Sequence, residues 1–326
     1  VTHILVMTEF PPDVLEKIRQ AAQGITVHYY PAGEWAEIPA EVLAQTEVLY
    51  AGSDLPAPGQ LGALKWVQSH SAGVDHWLRH PLFVPVDGQP QAEVQLTTAS
   101  GVHAVNMSEF ILMMMLGLAY HINEAYNMMQ RRHWNDQRQL HLPRELGGTT
   151  VGLIGYGAIG RQTAAVCRHM GMHVLALRRS IQQEQPGATF YRREQLADFL
   201  GRSDFVVLSA PLTEETYHMI DAAALAAMKP TAYLINIARG DLVDEPALIE
   251  ALRQRRLAGA ALDVFAQEPL PDDSPLWQLD NVILTPHIAG TTPNYERRAA
   301  EIFVDNIRRF VAGQPLKNKV DFSRGY

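Results

Sequence analysis

Short apolar runs alternate with amphipathic stretches through the first part of the chain. Ile4 to Met7, Thr26 to Tyr29, Val48 to Ala51 and Trp66 to Ser69 read as strands, each short and rich in β-formers. Between them, Pro12 to Ala22 and Pro39 to Gln45 read as helices. Each opens on proline, which suits a first turn because its missing N–H would have no intrahelical acceptor there. Strand and helix in alternation predict an α/β fold with a parallel sheet covered on both faces. From His103 to about Gln130 the pattern is apolar on most faces, predicting a long helix buried between domains or subunits. A polar stretch, Arg131 to Glu145, follows and contains Trp134. A second, cleaner αβ series starts at Thr150. Its strands are Val151 to Ile154, His173 to Leu177, Phe205 to Leu208, Tyr233 to Ile237, Gly259 to Leu262 and Val282 to Leu284. Ile159 to Met170 and Glu245 to Arg255 are helices between them, and a last helix covers about Pro293 to Val311. Two doubly wound parallel-sheet domains are expected.

Composition narrows the function classes. A length of 326 residues suggests two domains, and a formal charge of -8 argues against nucleic acid or an anionic membrane as partner. The single cysteine, Cys167, excludes an intramolecular disulfide and fits a reducing, cytoplasmic setting. The N-terminal residues read as a strand rather than a signal peptide. The most membrane-like segment, Phe110 to Tyr120, is too short to span a bilayer and reads as a buried helix. Cys-rich metal cages are excluded, and no metal is expected.

The chemistry begins with a glycine loop. Gly155, Tyr156, Gly157, Ala158, Ile159 and Gly160 form a GxGxxG between an apolar strand and an amphipathic helix. That context suits a dinucleotide: Gly155 for the tight turn, Gly157 for close approach of the pyrophosphate, Gly160 for helix-on-strand packing. The helix N-terminus adds free N–H groups and positive potential. After the next strand, where an acid would bind a ribose 2′-hydroxyl, stand Arg178, Arg179 and Ser180. A guanidinium can bind a 2′-phosphate through paired hydrogen bonds, so NADPH is expected over NAD, with NAD still possible.

Three downstream strands end on reactive side chains: Arg239 after Asn236-Ile-Ala, Glu268 before Pro269, and His287 after Pro286. Ligands bind at the C-terminal strand ends of open α/β sheets. A cation there can hold a carboxylate and polarise a carbonyl, and an imidazole can deliver a proton near neutral pH. A carboxylate can orient that imidazole and stabilise its charged form. His70 and His103 are the rival histidines, His70 because it opens the glycine-containing segment His70-Ser-Ala-Gly-Val-Asp75.

That segment, with Gly155 to Gly160, Pro211 to Thr216, Asn236 to Gly240, Leu262 to Pro269 and Pro286 to Gly290, resembles the D-isomer-specific 2-hydroxyacid dehydrogenases in order and spacing. The pattern is nearest the glyoxylate and hydroxypyruvate reductases, since the acid after the second strand is missing. The resemblance implies hydride transfer from NADPH to a small 2-keto acid, giving the D-2-hydroxy acid. It makes Arg239 the substrate-binding cation, His287 the general acid/base and Glu268 its partner. The backbone of Ala72, Gly73 and Val74 would cradle the substrate carboxylate. Ala210, Pro211, Thr216, Ile237, Ala238, Asp263 and Gly290 would join the glycine loop and arginines around the cofactor, with Asp263 on the nicotinamide carboxamide. It also implies a flavodoxin-like substrate domain from residues 1–102 and 289–326, a Rossmann cofactor domain at 103–288, a cleft between them, and a homodimer. Trp134 would be either a dimer arm or a local packing anchor. The alternatives are an NAD(P)H-sensing corepressor-like protein and a phosphite-type dehydrogenase. Loops near Tyr50 to Asp54 would line the substrate pocket.

Overall fold

The computed structural model describes residues 3–31, 34–84, 94–134, 142–179 and 187–322. Contacts divide the chain into two compact units, Val1–His103 with Thr292–Tyr326, and Ala104–Thr291.

The smaller unit holds β1 (His3–Val6), α1 (Pro12–Ala21), β2 (Thr26–Tyr29), α2 (Ala40–Gln45), β3 (Val48–Ala51), β4 (Trp66–Ser69) and β5 (Gln95–Thr97). Its sheet is parallel in the order β2-β1-β3-β4-β5, the flavodoxin-like winding. The central strands β3 and β4 are buried at every position, because helices cover both faces. One cover is the last helix, α9 (Tyr295–Val311), whose Ala300, Phe303 and Ile307 pack with Val14 and Ile18 of α1 onto Ile4, Tyr50 and Trp66. Asn306 is fully buried in that face and fully used: its amide donates to Gln68 Oε1 and Lys317 O and accepts from Lys317 N. Its bonds tie the chain end to the sheet it returned to.

The larger unit opens with α3 (Ala104–Ala119) and α4 (Ile122–Arg131). Then come β6 (Thr150–Ile154), α5 (Ala158–His169), β7 (His173–Leu177), β8 (Thr189–Tyr191), α6 (Leu196–Arg202), β9 (Phe205–Leu208) and α7 (Ala222–Ala227). β10 (Tyr233–Asn236), α8 (Glu245–Arg253), β11 (Gly259–Leu262) and β12 (Val282–Leu284) complete it. All seven strands run parallel in the order β12-β11-β10-β9-β6-β7-β8. The winding reverses between β6 and β9, and at that switch point the C-terminal strand ends leave room for a ligand.

One expectation from the pattern fails. The segment from His103 to Gln130 is two helices meeting at 66°, broken at His121, whose φ of +52° is left-handed. A left-handed residue cannot continue the helical ladder, so the axis turns there. α3 is buried along Met107, Ile111, Met114 and Met115, packed against α5 and the strands β10, β11 and β12. α4 buries no residue in the single chain. No single helix among the described residues is long and apolar enough to cross a membrane.

Candidate active site

Three strand-to-loop turns at one edge of the larger sheet carry the reactive groups, and those of Arg239 and His287 are each held by a buried polar side chain. Arg239 follows β10. Asn236, at the end of that strand and 1% exposed, donates from Nδ2 to Arg239 O (2.9 Å) and accepts Ala238 N–H at Oδ1 (3.1 Å). That side chain closes the turn and fixes the backbone of the exposed Arg239. The guanidinium donates to Ala238 O at 2.8 Å. Gly240 is required by packing rather than by dihedral angle: a Cβ there would lie 2.0 Å from Phe265 C and O. The turns after β10 and β11 thus touch backbone to backbone, which sets Arg239 beside the Glu268 loop.

Glu268 is fastened at both carboxylate oxygens. Oε1 accepts Phe265 N–H at 3.0 Å, and Oε2 lies 2.7 Å from His287 Nδ1. A carboxylate only accepts, so Nδ1 carries the proton and Nε2 is left for chemistry. Both side chains remain accessible, His287 at 52% and Glu268 at 34%. His287 itself has φ +52°, a left-handed conformation that costs a non-glycine residue about 1 kcal/mol or more.

Asp263 explains how that conformation is held. Its carboxylate is 1% exposed and accepts from Thr285 Oγ1 (2.6 Å), Ile288 N (2.9 Å) and Ala289 N (2.9 Å). Its backbone oxygen accepts His287 N–H at 2.9 Å. Asp263 therefore grips the histidine loop on both sides of His287. Asn236 and Thr285, which pattern reading passed over, belong to this scaffold; the signal available was a polar residue at the end of an otherwise apolar strand.

The dinucleotide loop sits at the switch point after β6. Gly155 has φ +98°, and a Cβ there would meet Ala210 N and Ser209 O at 2.8 Å, so the loop packs on the turn after β9. Gly160 faces Gly155 O so closely that a Cβ would lie at 2.3 Å, while nothing stands within 4 Å of the Cβ position at Gly157. The first N–H of α5 with an acceptor in its own helix end is that of Arg161, to Gly157 O at 3.0 Å. The N–H groups of Ala158, Ile159 and Gly160 precede it, and Gly157 offers no side-chain cap. An uncapped helix start beside an open glycine is what a pyrophosphate needs, so these residues fit a dinucleotide. Tyr156 packs its ring edge-on against Phe190. Thr216 bonds within its own turn, accepting Thr213 N–H and donating to Pro211 O, each at 2.8 Å. Ile237 and Ala238 are buried and Gly290 half-buried.

Past β7, Arg178 lays its guanidinium over the Phe190 ring at 4.3 Å. Arg179 is half exposed, with Nε 3.9 Å from Glu215 Oε2. Ser180 lies outside the described residues. In the smaller unit, Ala72, Gly73 and Val74 follow β4, and their backbone N–H groups have no acceptor among the described residues. Successive backbone donors left without a partner among those residues are the pattern that an anion can satisfy.

The D-isomer specific 2-hydroxyacid dehydrogenase NAD binding domain matches residues 112–289. Over 267 residues the chain is 38% identical to the (S)-sulfolactate dehydrogenase of Chromohalobacter salexigens, covering 81% of this chain and 80% of that protein. A D-isomer specific 2-hydroxyacid dehydrogenase from Xanthobacter autotrophicus Py2, solved with NADPH and MES, superposes with a TM-score of 0.81 at 32% identity, covering 100% of this chain and 99% of that one. An NADPH-dependent glyoxylate/hydroxypyruvate reductase from Sinorhizobium meliloti, solved with NADP and sulfate, gives 0.77 at 29% identity with 100% of both chains covered. The chain belongs to the D-isomer specific 2-hydroxyacid dehydrogenases and is an NAD(P)-dependent enzyme of that family.

Proposed function

We propose that the enzyme reduces a small 2-keto acid of the glyoxylate or hydroxypyruvate type to the D-2-hydroxy acid, with NADPH as preferred reductant. The observation that carries this reading is the His287–Glu268 pair at 2.7 Å, on the same sheet edge as Arg239. A bound reduced nicotinamide supplies the hydride. Arg239 holds the substrate carboxylate and carbonyl oxygen, drawing electron density from the carbon to be reduced. His287 Nε2 gives its proton to that oxygen, and Glu268 stabilises the ring while it is charged. Asp263 keeps the His287 loop in place and has lone-pair capacity left for a carboxamide N–H. The N–H groups of Ala158, Ile159 and Gly160 hold the pyrophosphate, with Ala210, Pro211 and Thr216 on the facing turn. In the smaller unit, the backbone N–H groups of Ala72, Gly73 and Val74 are donors suited to a carboxylate.

The NADPH preference rests on charge: two arginines stand where an acid would repel a 2′-phosphate. In the double variant Arg178→Ala, Arg179→Ala, Kd for NADPH rises about 10- to 100-fold while Kd for NADH stays within a few-fold. Titration of nicotinamide fluorescence measures both. Equal loss for the two cofactors would mean the arginines serve the fold rather than the phosphate.

We also propose that the enzyme is a homodimer in the cytoplasm, through α4. Ile122, Tyr126 and Met129 stand at one-turn spacings on that helix and are 52%, 57% and 63% exposed; Trp134, just beyond, is 76% exposed. Such an apolar stripe is costly in water and suits a partner surface. Sedimentation velocity then gives twice the 36.3 kDa chain mass, and Tyr126→Asp with Met129→Asp gives the single mass. A wild-type monomer at micromolar concentration would remove this proposal. Fractionation of the source cells tests the location.

A further inference from the structure

A second set of polar aromatic groups lies entirely within the smaller unit and has no part in the scheme above. His70 follows β4 at the C-terminal edge of the sheet, its N–H bonded to Ala51 O at 2.8 Å. Its Nδ1 is 2.8 Å from the hydroxyl of Tyr50, a side chain with 0% exposure. Tyr295, the first residue of α9, donates its hydroxyl to His70 O at 2.7 Å and packs its ring 4.8 Å from the imidazole. Tyr295 and Ala72 both pack against the small cluster of Ala99, Val102 and Ala299. Phe10 packs edge-on to both rings, 6.1 Å from His70 and 5.1 Å from Tyr50.

This arrangement selects one tautomer. Burial pushes the Tyr50 phenol well above its usual range, so it keeps its proton, and the hydroxyl has His70 Nδ1 as its hydrogen-bond partner. Tyr50 therefore donates to Nδ1, which must accept. Burial also lowers the His70 pKa, an effect that the nearby Glu296 carboxylate opposes without reversing, and so favours the neutral ring. A neutral imidazole whose Nδ1 accepts carries its proton on Nε2. That Nε2–H has no acceptor among the described residues, and Nε2 is not among the enclosed, unsatisfied side-chain atoms, so it reaches solvent. The residues that follow are Ser71, bonded back to Ser69 Oγ, and then the three open N–H groups of Ala72, Gly73 and Val74. An oriented neutral donor thus stands at the head of an anion-binding backbone.

We propose that His70 is a specificity-determining residue, donating from Nε2–H to an oxygen on the third carbon of a keto acid whose carboxylate rests on the N–H groups of residues 72–74. Tyr50 is the positioning residue that fixes the donor. The proposal rests on the keto-acid reading and goes beyond it: substrates with a hydroxyl or an oxyanion on the third carbon are favoured over those with a bare methyl or no third carbon. A neutral donor accepts either kind of oxygen, and a site built to satisfy one discriminates strongly against an analogue that lacks it.

The test compares kcat/KM for hydroxypyruvate, pyruvate and glyoxylate in wild type, His70→Phe, His70→Gln and Tyr50→Phe. Ratios between substrates in one preparation do not depend on how much of a variant is folded. In His70→Phe the hydroxypyruvate-to-pyruvate and hydroxypyruvate-to-glyoxylate ratios fall about 10- to 100-fold, chiefly through KM for hydroxypyruvate. His70→Gln, which keeps an N–H donor, restores them to within a few-fold of wild type, and Tyr50→Phe lowers them by less than His70→Phe. Unchanged ratios in His70→Phe, or an equal fall for all three substrates, would overturn the role of His70 while leaving the keto-acid reading intact. A wild-type enzyme silent toward all three would overturn both together.

Discussion

His287→Ala lowers kcat for keto-acid reduction by about a hundredfold to ten-thousandfold, the usual contribution of a positioned general acid. Kd for NADPH stays within a few-fold, because the ring is tied to Glu268 and not to the glycine loop. Alanine removes the only group of the Arg239–Glu268–His287 set that can hand a proton to the new alcohol oxygen. The fold should tolerate the change: the side chain is 52% exposed, and the loop is gripped by Asp263 through Thr285, Ile288 and Ala289 rather than through the imidazole. Glu268→Gln makes a graded companion. Glutamine can still accept Phe265 N–H but loses the charge that steadies a protonated ring, so its kcat falls less than that of His287→Ala. Steady-state rates with a thermal unfolding curve for each variant decide the matter. A His287→Ala enzyme with wild-type kcat would remove His287 from the chemistry.

Arg239→Met is expected to cost about a hundredfold to a thousandfold in kcat/KM, the scale of losing a preorganised charged donor at a developing oxyanion. The loss should appear in both KM and kcat, since one guanidinium is assigned both the carboxylate and the carbonyl oxygen. Arg239→Lys should recover only part, because an ammonium keeps the charge but not the planar pair of donors. The turn should survive either change: it is closed by Asn236 to the backbone of residues 238 and 239, and by the glycine contact of Gly240 with Phe265. A variant impaired in KM alone would confine Arg239 to binding.

Much of this is legible in the sequence. The strands Thr26–Tyr29, Val48–Ala51, Trp66–Ser69, His173–Leu177, Phe205–Leu208, Gly259–Leu262 and Val282–Leu284 fall where the short β-forming runs place them. Phe205–Leu208 and Gly259–Leu262, buried at every position, are also free of polar side chains, as suits strands covered on both faces. The glycine loop was readable for a different reason: backbone crowding at Gly155 and Gly160 admits no other residue. β5 and β8 are not legible: like Val282–Leu284 they have three residues each, but Gln95 and Thr97 in one and Thr189 in the other interrupt what would be an apolar run. The break at His121 is also invisible in the sequence, since neither proline nor glycine stands at the left-handed position. Least legible were the anchors. Asp263 and Asn236 act through bonds to neighbouring turns, and nothing in a linear sequence announces which loop a buried carboxylate will hold. The same holds for His70, whose tautomer depends on Tyr50, twenty positions away in sequence and 2.8 Å away in space.

The most direct test of the central claim is the loss of reduced-nicotinamide absorbance when wild-type enzyme meets glyoxylate or hydroxypyruvate with NADPH, and in parallel with NADH. The expected result is turnover of both keto acids, faster with NADPH, with the D-isomer of glycerate formed from hydroxypyruvate. No oxidation of either nicotinamide by any small 2-keto acid would contradict it.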